Sequence, residues 1–178
     1  YDDLGAILDE IQAYAERHHC SIVREGEHIS ESEALNDVVV HKWEVARMIE
    51  METYVNGEFV NTLRSDGLIV STPTGSTAYA LSGGGPILHP ALNAIVLVPI
   101  CPHTMSNRPI VVDGDSEIEI VVRDKMLSHA QVTCDGQINL GLVTEDTVRI
   151  TKKKETVRLI HPVGHDHFKV RRAKLNWG

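Results

Sequence analysis

Residues 21–161 read as a succession of short β-type runs, each ended by turn-forming residues, and this spacing constrains the fold more than any other feature of the chain. The runs fall at 21–25, 38–41, 46–55, 58–63, 67–71 and 95–99, then at 110–112, 117–123, 130–134, 147–151 and 156–161. Several are built from Val, Ile and Thr, whose branched side chains suit a pleated, half-buried surface. So many runs at such close intervals predict a mainly β domain. Asn56-Gly57, between METYV and EFVNTL, is the clearest hairpin signal, because both residues accept the positive φ values of a type I′ turn. Asp113-Gly114-Asp115 and Asp135-Gly136 read as turns for the same reason.

The two ends of the chain differ from this pattern. Leu4, Ile7, Leu8, Ile11, Tyr14 and Ala15 recur at helical spacing, with acids early and Arg17, His18 and His19 late, which predicts an amphipathic helix over residues 2–17. A junction near Cys20 then divides a helical segment at 1–20 from a β-rich domain at 21–178. A short closing helix is expected over 168–173, with Leu175 and Trp177 packing the end of the chain back onto the sheets.

Composition narrows the function classes. At 178 residues the chain can bury a core without disulfides or a structural metal. A net charge of −8 argues against a broad nucleic-acid-binding surface, so the basic runs at 152–154 and 171–174 read as local solvated spots. Cys20, Cys101 and Cys134 lie far apart with no metal-site spacing, and read as reduced thiols of a cytoplasmic protein. No apolar run approaches the roughly 20 residues of a membrane span, and the first residues are not those of a signal peptide.

Residues 66–90, DGLIVSTPTGSTAYALSGGGPILHP, carry the strongest pointer to chemistry. An apolar strand runs into Ser71, Thr72, Thr74, Ser76 and Thr77, a density of hydroxyls that suits neither a core nor a linker. Pro73 stiffens the loop, and Gly75 permits positive φ or a close backbone approach. Ser76 or Thr77 is expected to cap a short helix through Ser82, which Gly83-Gly84-Gly85-Pro86 ends. Amides at that helix start would face an anion or a sugar. The competing reading of the loop alone is a solvated connection.

DGLIVSTPTGSTAY followed by SGGGPI resembles the signature of the NAD kinase family, whose members phosphorylate the adenosine 2′-hydroxyl of NAD. ALNDVVVHK at 34–42, RSDG at 64–67, LVPICPHTMSNRPIVV at 97–112 and CDGQ at 134–137 resemble the same family in the same order, so the likeness covers roughly 23–177. It implies a C-terminal domain of stacked β-sheets, assembled into homodimers or homotetramers with shared nucleotide sites. The partners it implies are NAD, NADP and ATP, with Mg²⁺ or another divalent cation accompanying ATP. Catalytic members carry a Gly-Gly-Asp-Gly motif in an N-terminal α/β domain, and its aspartate is assigned as the base. That motif does not occur in this sequence, so no catalytic residue is assigned here, and the first helix is expected to be the edge of that other domain.

The resemblance also implies roles for particular residues. Asn36 and Asp37 would contact ribose hydroxyls, which a carboxylate can accept in pairs; read without the resemblance, they are a turn or strand cap. Thr74, Thr77, Ala78 and Tyr79 would hold the nicotinamide riboside and diphosphate, with Ser82 one helical turn on from Ala78. Tyr79 read alone is a core tyrosine. Arg64 would lie near the new 2′-phosphate, which its forked donors suit, and Asp66 would reach a neighbouring subunit's ligand; otherwise the two read as surface ion pairs. His161, His165 and His167 invite a metal reading, but Pro162 and Gly164 break any helix that would align them. His165 is placed near the adenine end of the site, and His161 is read as structural.

Three other functions compete. A non-catalytic NAD or NADP sensor fits the missing motif equally well. A lipid-kinase relative is disfavoured by Asn36-Asp37 with TPTGSTAY. A purely structural oligomerisation domain is disfavoured by the hydroxyl loop, since unpaired buried hydroxyls cost about 1–3 kcal/mol each.

Overall fold

A computed structural model describes residues 12–43, 47–123, 130–161 and 165–177. In chain order the strands are β1 (Gln12–Ala15), β2 (His18–Arg24), β3 (Glu27–Ala34), β4 (Asp37–Lys42), β5 (Ile49–Val55), β6 (Glu58–Ser65) and β7 (Gly67–Ser71), then β8 (Ala94–Ile100), β9 (Ile110–Asp113), β10 (Ile118–Val122), β11 (Ala130–Cys134), β12 (Ile138–Leu142), β13 (Thr147–Lys152) and β14 (Val157–Ile160). A single 3₁₀ turn at Gly75–Thr77 precedes the short helix α1 (Tyr79–Ser82), and α2 (His167–Leu175) lies near the end. The fold divides into two compact units, Glu16–Thr156 and the pair Tyr1–Ala15 with Val157–Gly178.

The larger unit is a sandwich of two antiparallel six-stranded sheets. The first has the order β3-β2-β13-β10-β5-β6 and the second β12-β11-β4-β7-β8-β9. Between them, Ile22, Met51, Ile118, Ile120 and Ile150 from the first sheet meet Val38, Val40, Leu68, Val70, Ile95 and Val132 from the second in one buried cluster. Because side chains alternate along a strand, the neighbours of these residues point outward, and here the two sheets part company. On the first sheet the outward set is mainly polar, with Glu52, Glu119, Thr147 and Arg149 in alternation with the core and Val23 and Val121 among them. On the second, Val39, Ile69, Val96 and Val98 point outward and are buried as well, beneath Ala80 and Leu88. That second burial is why GLIVS and AIVLV are continuous apolar runs and not alternating ones.

The hairpin expected at Asn56-Gly57 joins β5 to β6, with φ of 52° and 78°. In the larger unit two strands had no counterpart in the sequence reading. β3 (EHISESEA) and β12 (INLGL) each stand at the edge of a sheet; β3 is largely polar, as an edge strand can be, and Asn139 and Gly141 interrupt the apolar residues of β12.

In the smaller unit, β1 pairs antiparallel with β14. This corrects the helix expected over 2–17: Gln12–Ala15 is a strand, and β2 begins at His18, so pairing with distant strands overrides the helical spacing of Tyr14 and Ala15. Residues 2–11 of that expected helix lie outside the described residues. The closing helix is present as α2. Asp166 caps it, accepting from the Phe168 and Lys169 amides at 2.8 and 3.0 Å, and Asn176 ends it in the left-handed region. Trp177, expected to pack inward, is 49% exposed. Among the described residues no helix is long and apolar enough to cross a membrane.

Candidate functional site

Three segments distant in sequence meet at one end of the second sheet. Residues 35–37 lead into β4, residues 71–76 leave β7, and Asp135 begins the turn between β11 and β12. Antiparallel register brings them together, since Asp37 stands opposite Ser71 and Val38 opposite Cys134.

The loop after β7 is stitched to the first of these segments. The Thr72 amide donates to the Asn36 carbonyl at 2.9 Å, and the Thr72 hydroxyl donates to the Leu35 carbonyl at 2.7 Å while accepting from the Gly75 amide at 3.0 Å. The Ser76 hydroxyl donates to the Pro73 carbonyl at 2.6 Å and accepts from the Leu88 amide at 3.0 Å. Gly75 is needed for closeness and not for positive φ: a Cβ there would sit 2.0 Å from the Asn36 carbonyl oxygen.

These bonds correct two expectations. The hydroxyl that caps the 3₁₀ turn is that of Thr72, since neither Ser76 nor Thr77 caps a helix here; the Thr77 hydroxyl instead faces the Thr74 carbonyl at 3.3 Å. And the buried hydroxyls of Ser71, Thr72 and Ser76 are satisfied by main-chain carbonyls, Ser71 and Ser76 by those of the loop and Thr72 by that of Leu35, so this part of the hydroxyl cluster shapes the loop, ties it to residues 35–36 and leaves ligand contact to other groups.

Beside this seam lies a cavity of about 370 Å³. Its floor is the outer face of the second sheet, with Asp37, Val39 and His41 at alternate positions of β4 and Thr133 on β11; Asn36, Asp135 and Gly136 form one end, and Ala78 and Tyr79 stand over it. Tyr79 is 49% exposed, so its ring is available to a ligand and is not a core tyrosine.

The electrostatics single out Asp37. Its side chain is buried, and burial together with the Asp135 charge pushes its carboxyl up to about 6, against the pull of the adjacent Tyr79 amide. His41 is held below the ordinary histidine value by burial, partly offset by the Lys42 carbonyl, and is neutral near pH 7. The floor therefore offers acceptors and a neutral imidazole, chemistry that suits hydroxyl and amide donors.

The structure brings together Asn36, Asp37, Ala78 and Tyr79. Thr74, Thr77 and Ser82 lie on the same loop and helix without lining the cavity. Arg64 and Asp66 lie elsewhere: His41 pairs with Gly67 where Asp37 pairs with Ser71, so Asp66 is just past the opposite end of the β4–β7 pair, about 17 Å along the strand. There Asp66 pairs with Lys42 at 2.6 Å, and Arg64 lies 3.8 Å from Glu50. His165 belongs to the smaller unit, where its ring stacks on that of His161 at 4.0 Å.

The sequence reading missed His41, Thr133 and Asp135. The first had a signal, since Asp37, Val39 and His41 share a face by period two. Asp135 was hidden by its turn, which explains an Asp-Gly pair without any further role.

A model of the ATP-NAD kinase C-terminal domain matches residues 35–162. The chain belongs to the NAD kinase family. The match takes in both sides of the cavity, from Asn36 to Gly136. Among curated relatives, the NAD kinase of Pseudomonas putida (strain W619) is 54% identical over 168 residues, covering 94% of this chain and 54% of the relative. That of Pseudomonas savastanoi pv. phaseolicola (strain 1448A / Race 6) is 56% identical over 155 residues, 87% of this chain and 52% of the relative. The chain thus spans about half the length of the curated relatives it matches. Among solved structures, yeast NADH kinase complexed with NADH superposes with a TM-score of 0.87 at 25% identity, covering 94% of this chain and 51% of that one. An NAD kinase from Archaeoglobus fulgidus in complex with ATP gives 0.78 at 28% identity, covering 98% and 64%.

Proposed function

We propose that the protein carrying this chain transfers the terminal phosphoryl group of ATP to the 2′-hydroxyl of the adenosine ribose of NAD⁺, giving NADP⁺ (EC 2.7.1.23), and that this chain supplies mainly the NAD-binding domain. The single observation that carries the reading is the cavity itself: a buried carboxylate, Asp37, beside Asn36, with Tyr79 set over them. A carboxylate can accept two hydroxyl protons of a ribose at once, while an aromatic ring over the same pocket stacks on a flat heterocycle. Thr74, Thr77 and Ser82 extend the contact along the loop. The fold similarity to a kinase holding NADH and to one holding ATP supports both substrates.

In this reading the protein aligns the acceptor oxygen with the donor phosphate, since phosphoryl transfer is mostly positioning and charge stabilisation. The divalent cation is assigned to the ATP phosphates, as is usual where Mg²⁺ accompanies a nucleotide. The base is assigned to the Gly-Gly-Asp-Gly motif of the family, so these residues alone are expected to bind NAD without turning it over. Arg64 and Asp66, which do not line the cavity, are assigned to the new 2′-phosphate and to a neighbouring subunit's ligand in a homodimer or homotetramer, and His165 to the adenine end of the dinucleotide. The setting proposed is the cytoplasm.

Calorimetric titration with NAD and then NADP tests this. Saturable binding that Asp37→Ala or Tyr79→Ala abolishes is the expected result. Saturable binding untouched by both substitutions would remove the cavity as the site, and clear NADP formation by this chain alone would overturn the division of labour. Binding without phosphorylation by the full-length protein would favour a dinucleotide sensor.

A further inference from the structure

We infer that Asp135 is a positioning residue for this site: its carboxylate, bound to three consecutive main-chain amides, fixes the backbone from which Asn36 and Asp37 reach the ligand. The inference rests on the NAD-site reading above and names what holds that site in shape.

One Asp135 carboxylate oxygen accepts from the Leu35 amide at 2.8 Å, and the other accepts from the Asn36 amide at 2.7 Å and the Asp37 amide at 3.1 Å. The Asp135 amide in turn donates to the Asp37 carbonyl at 3.0 Å. Successive amides wrapped around one anion form a nest, and hydrogen bonds to an ionised acceptor are roughly twice as strong as neutral ones. The carbonyls of Leu35 and Asn36 are held from the other side by Thr72. The main-chain polar groups of residues 35–37 are thereby all engaged, leaving the Asn36 and Asp37 side chains to face the cavity.

The turn alone does not require this carboxylate. Asp135 and Gly136 are left-handed, with φ of 51° and 66°, and asparagine adopts that conformation equally well. Asparagine would, however, present one acceptor and an NH₂ group to three donors. The charge also acts on Asp37 directly, as one of the groups facing it; the others are the Tyr79 amide from α1 and the Cys134 thiol of β11, with His41 four positions along β4 on the same cavity lining, while His18 of β2 lies within the field of Asp135.

The test measures NAD affinity of the full-length protein between about pH 5 and pH 8 for wild type, Asp135→Asn and Thr72→Val, with KM for NAD and for ATP in the kinase assay. Asp135→Asn is expected to weaken NAD binding roughly tenfold or more and to move the pH midpoint of binding lower, because one of the two causes that raise Asp37 is gone. KM for NAD rises while KM for ATP holds. Thr72→Val loosens the same segment without changing charge, so it weakens binding with the midpoint unmoved. Wild-type affinity in Asp135→Asn, or a KM for ATP that rises as much as the KM for NAD, would overturn the inference. If Asp135→Asn does not fold, Asp135→Ser replaces it, and failure of both to fold would reduce Asp135 to a structural residue. A wild-type protein whose binding ignores Asp37→Ala would instead strike the NAD-site reading itself.

Discussion

The two sheets have the same number of strands and the same antiparallel pairing, yet only one carries the candidate site. The first sheet turns an ordinary amphipathic face to solvent, where Arg149 bridges to Glu119 at 2.6 Å and Arg123 to Glu52 at 2.9 Å. The second has an apolar outer face that must be covered, and the segment from Thr72 to Leu88 covers it. A cover of coil and short helix cannot match a twisted sheet everywhere. Where it stops, at Ala78 and Tyr79, a cavity remains with sheet on one side and loop on the other. The second burial layer thus shapes the cavity, whereas the first sheet meets water through charged pairs.

The sharpest way to break this contrast is at glycine. Gly75→Val drives a side chain into the Asn36 carbonyl, so it should separate cover from sheet, lower stability by about 3–5 kcal/mol in denaturant melts and abolish NAD binding. Gly57→Ala in the first sheet's hairpin meets nothing within 4 Å and suffers only from its positive φ, so a loss of about 1 kcal/mol with binding intact is expected. Equal losses at the two positions would refute the asymmetry.

Next in size is Ile69→Ala, which empties the layer between sheet and cover; about 2–4 kcal/mol should be lost by chemical denaturation, with weaker binding. Asp37→Asn separates stability from function. The folded carboxyl is raised from 3.8 to about 6, so Asp37 is harder to ionise in the fold than in the unfolded chain, and its cost appears as pH rises through that window. At pH 8 the asparagine variant should be more stable by about 1–3 kcal/mol and should fail to bind NAD. A variant less stable than wild type at that pH would contradict the environment described for Asp37.

His18 works in the other direction. Burial holds its folded value down at about 4, opposed by the Ser71 backbone and the Asp135 charge. Its contribution is complete above the ordinary 6.5 and is lost as pH falls from there towards 4, so His18→Gln should flatten the acid limb of a Tm-against-pH profile. The smallest effect expected is that of Arg149→Ala, within about 1 kcal/mol and without change in NAD affinity. A larger effect on binding would show that the first sheet's outer face matters after all.

The sequence made the second sheet easier to read than the site. Strands such as GLIVS and AIVLV announce themselves because they are buried on both faces, and Asn56-Gly57 because its backbone geometry is rare. β3 was silent because an edge strand can be polar, and β12 because Asn139 and Gly141 interrupt its apolar residues and read as turn formers. At the site, Asn36, Asp37, Ala78 and Tyr79 were legible because they sit in one recognisable pattern on each side of the cavity. The roles of Thr72 and Asp135 were not, since each binds main-chain atoms of a segment far away, and main-chain partners leave no mark on the residue types of that segment. Ser71, Thr72 and Ser76 look alike in sequence to Thr74 and Thr77, and only the fold separates those that tie the loop from those left half-exposed.

The Asp135 clasp also has an order in time. The amides it holds lie 98 to 100 residues earlier in the chain, so on a ribosome adding about 5–20 residues per second they wait roughly 5–20 seconds for their anion. During that interval β4 and β7 can pair and the Thr72 loop can close, while the Leu35–Asp37 amides have only water as partner. The cavity is therefore among the last parts of the nascent chain to mature, and a synonymous codon change that slows translation between residues 75 and 135 lengthens the life of a sheet that is complete in outline and unfinished where Asp37 and Asp135 meet.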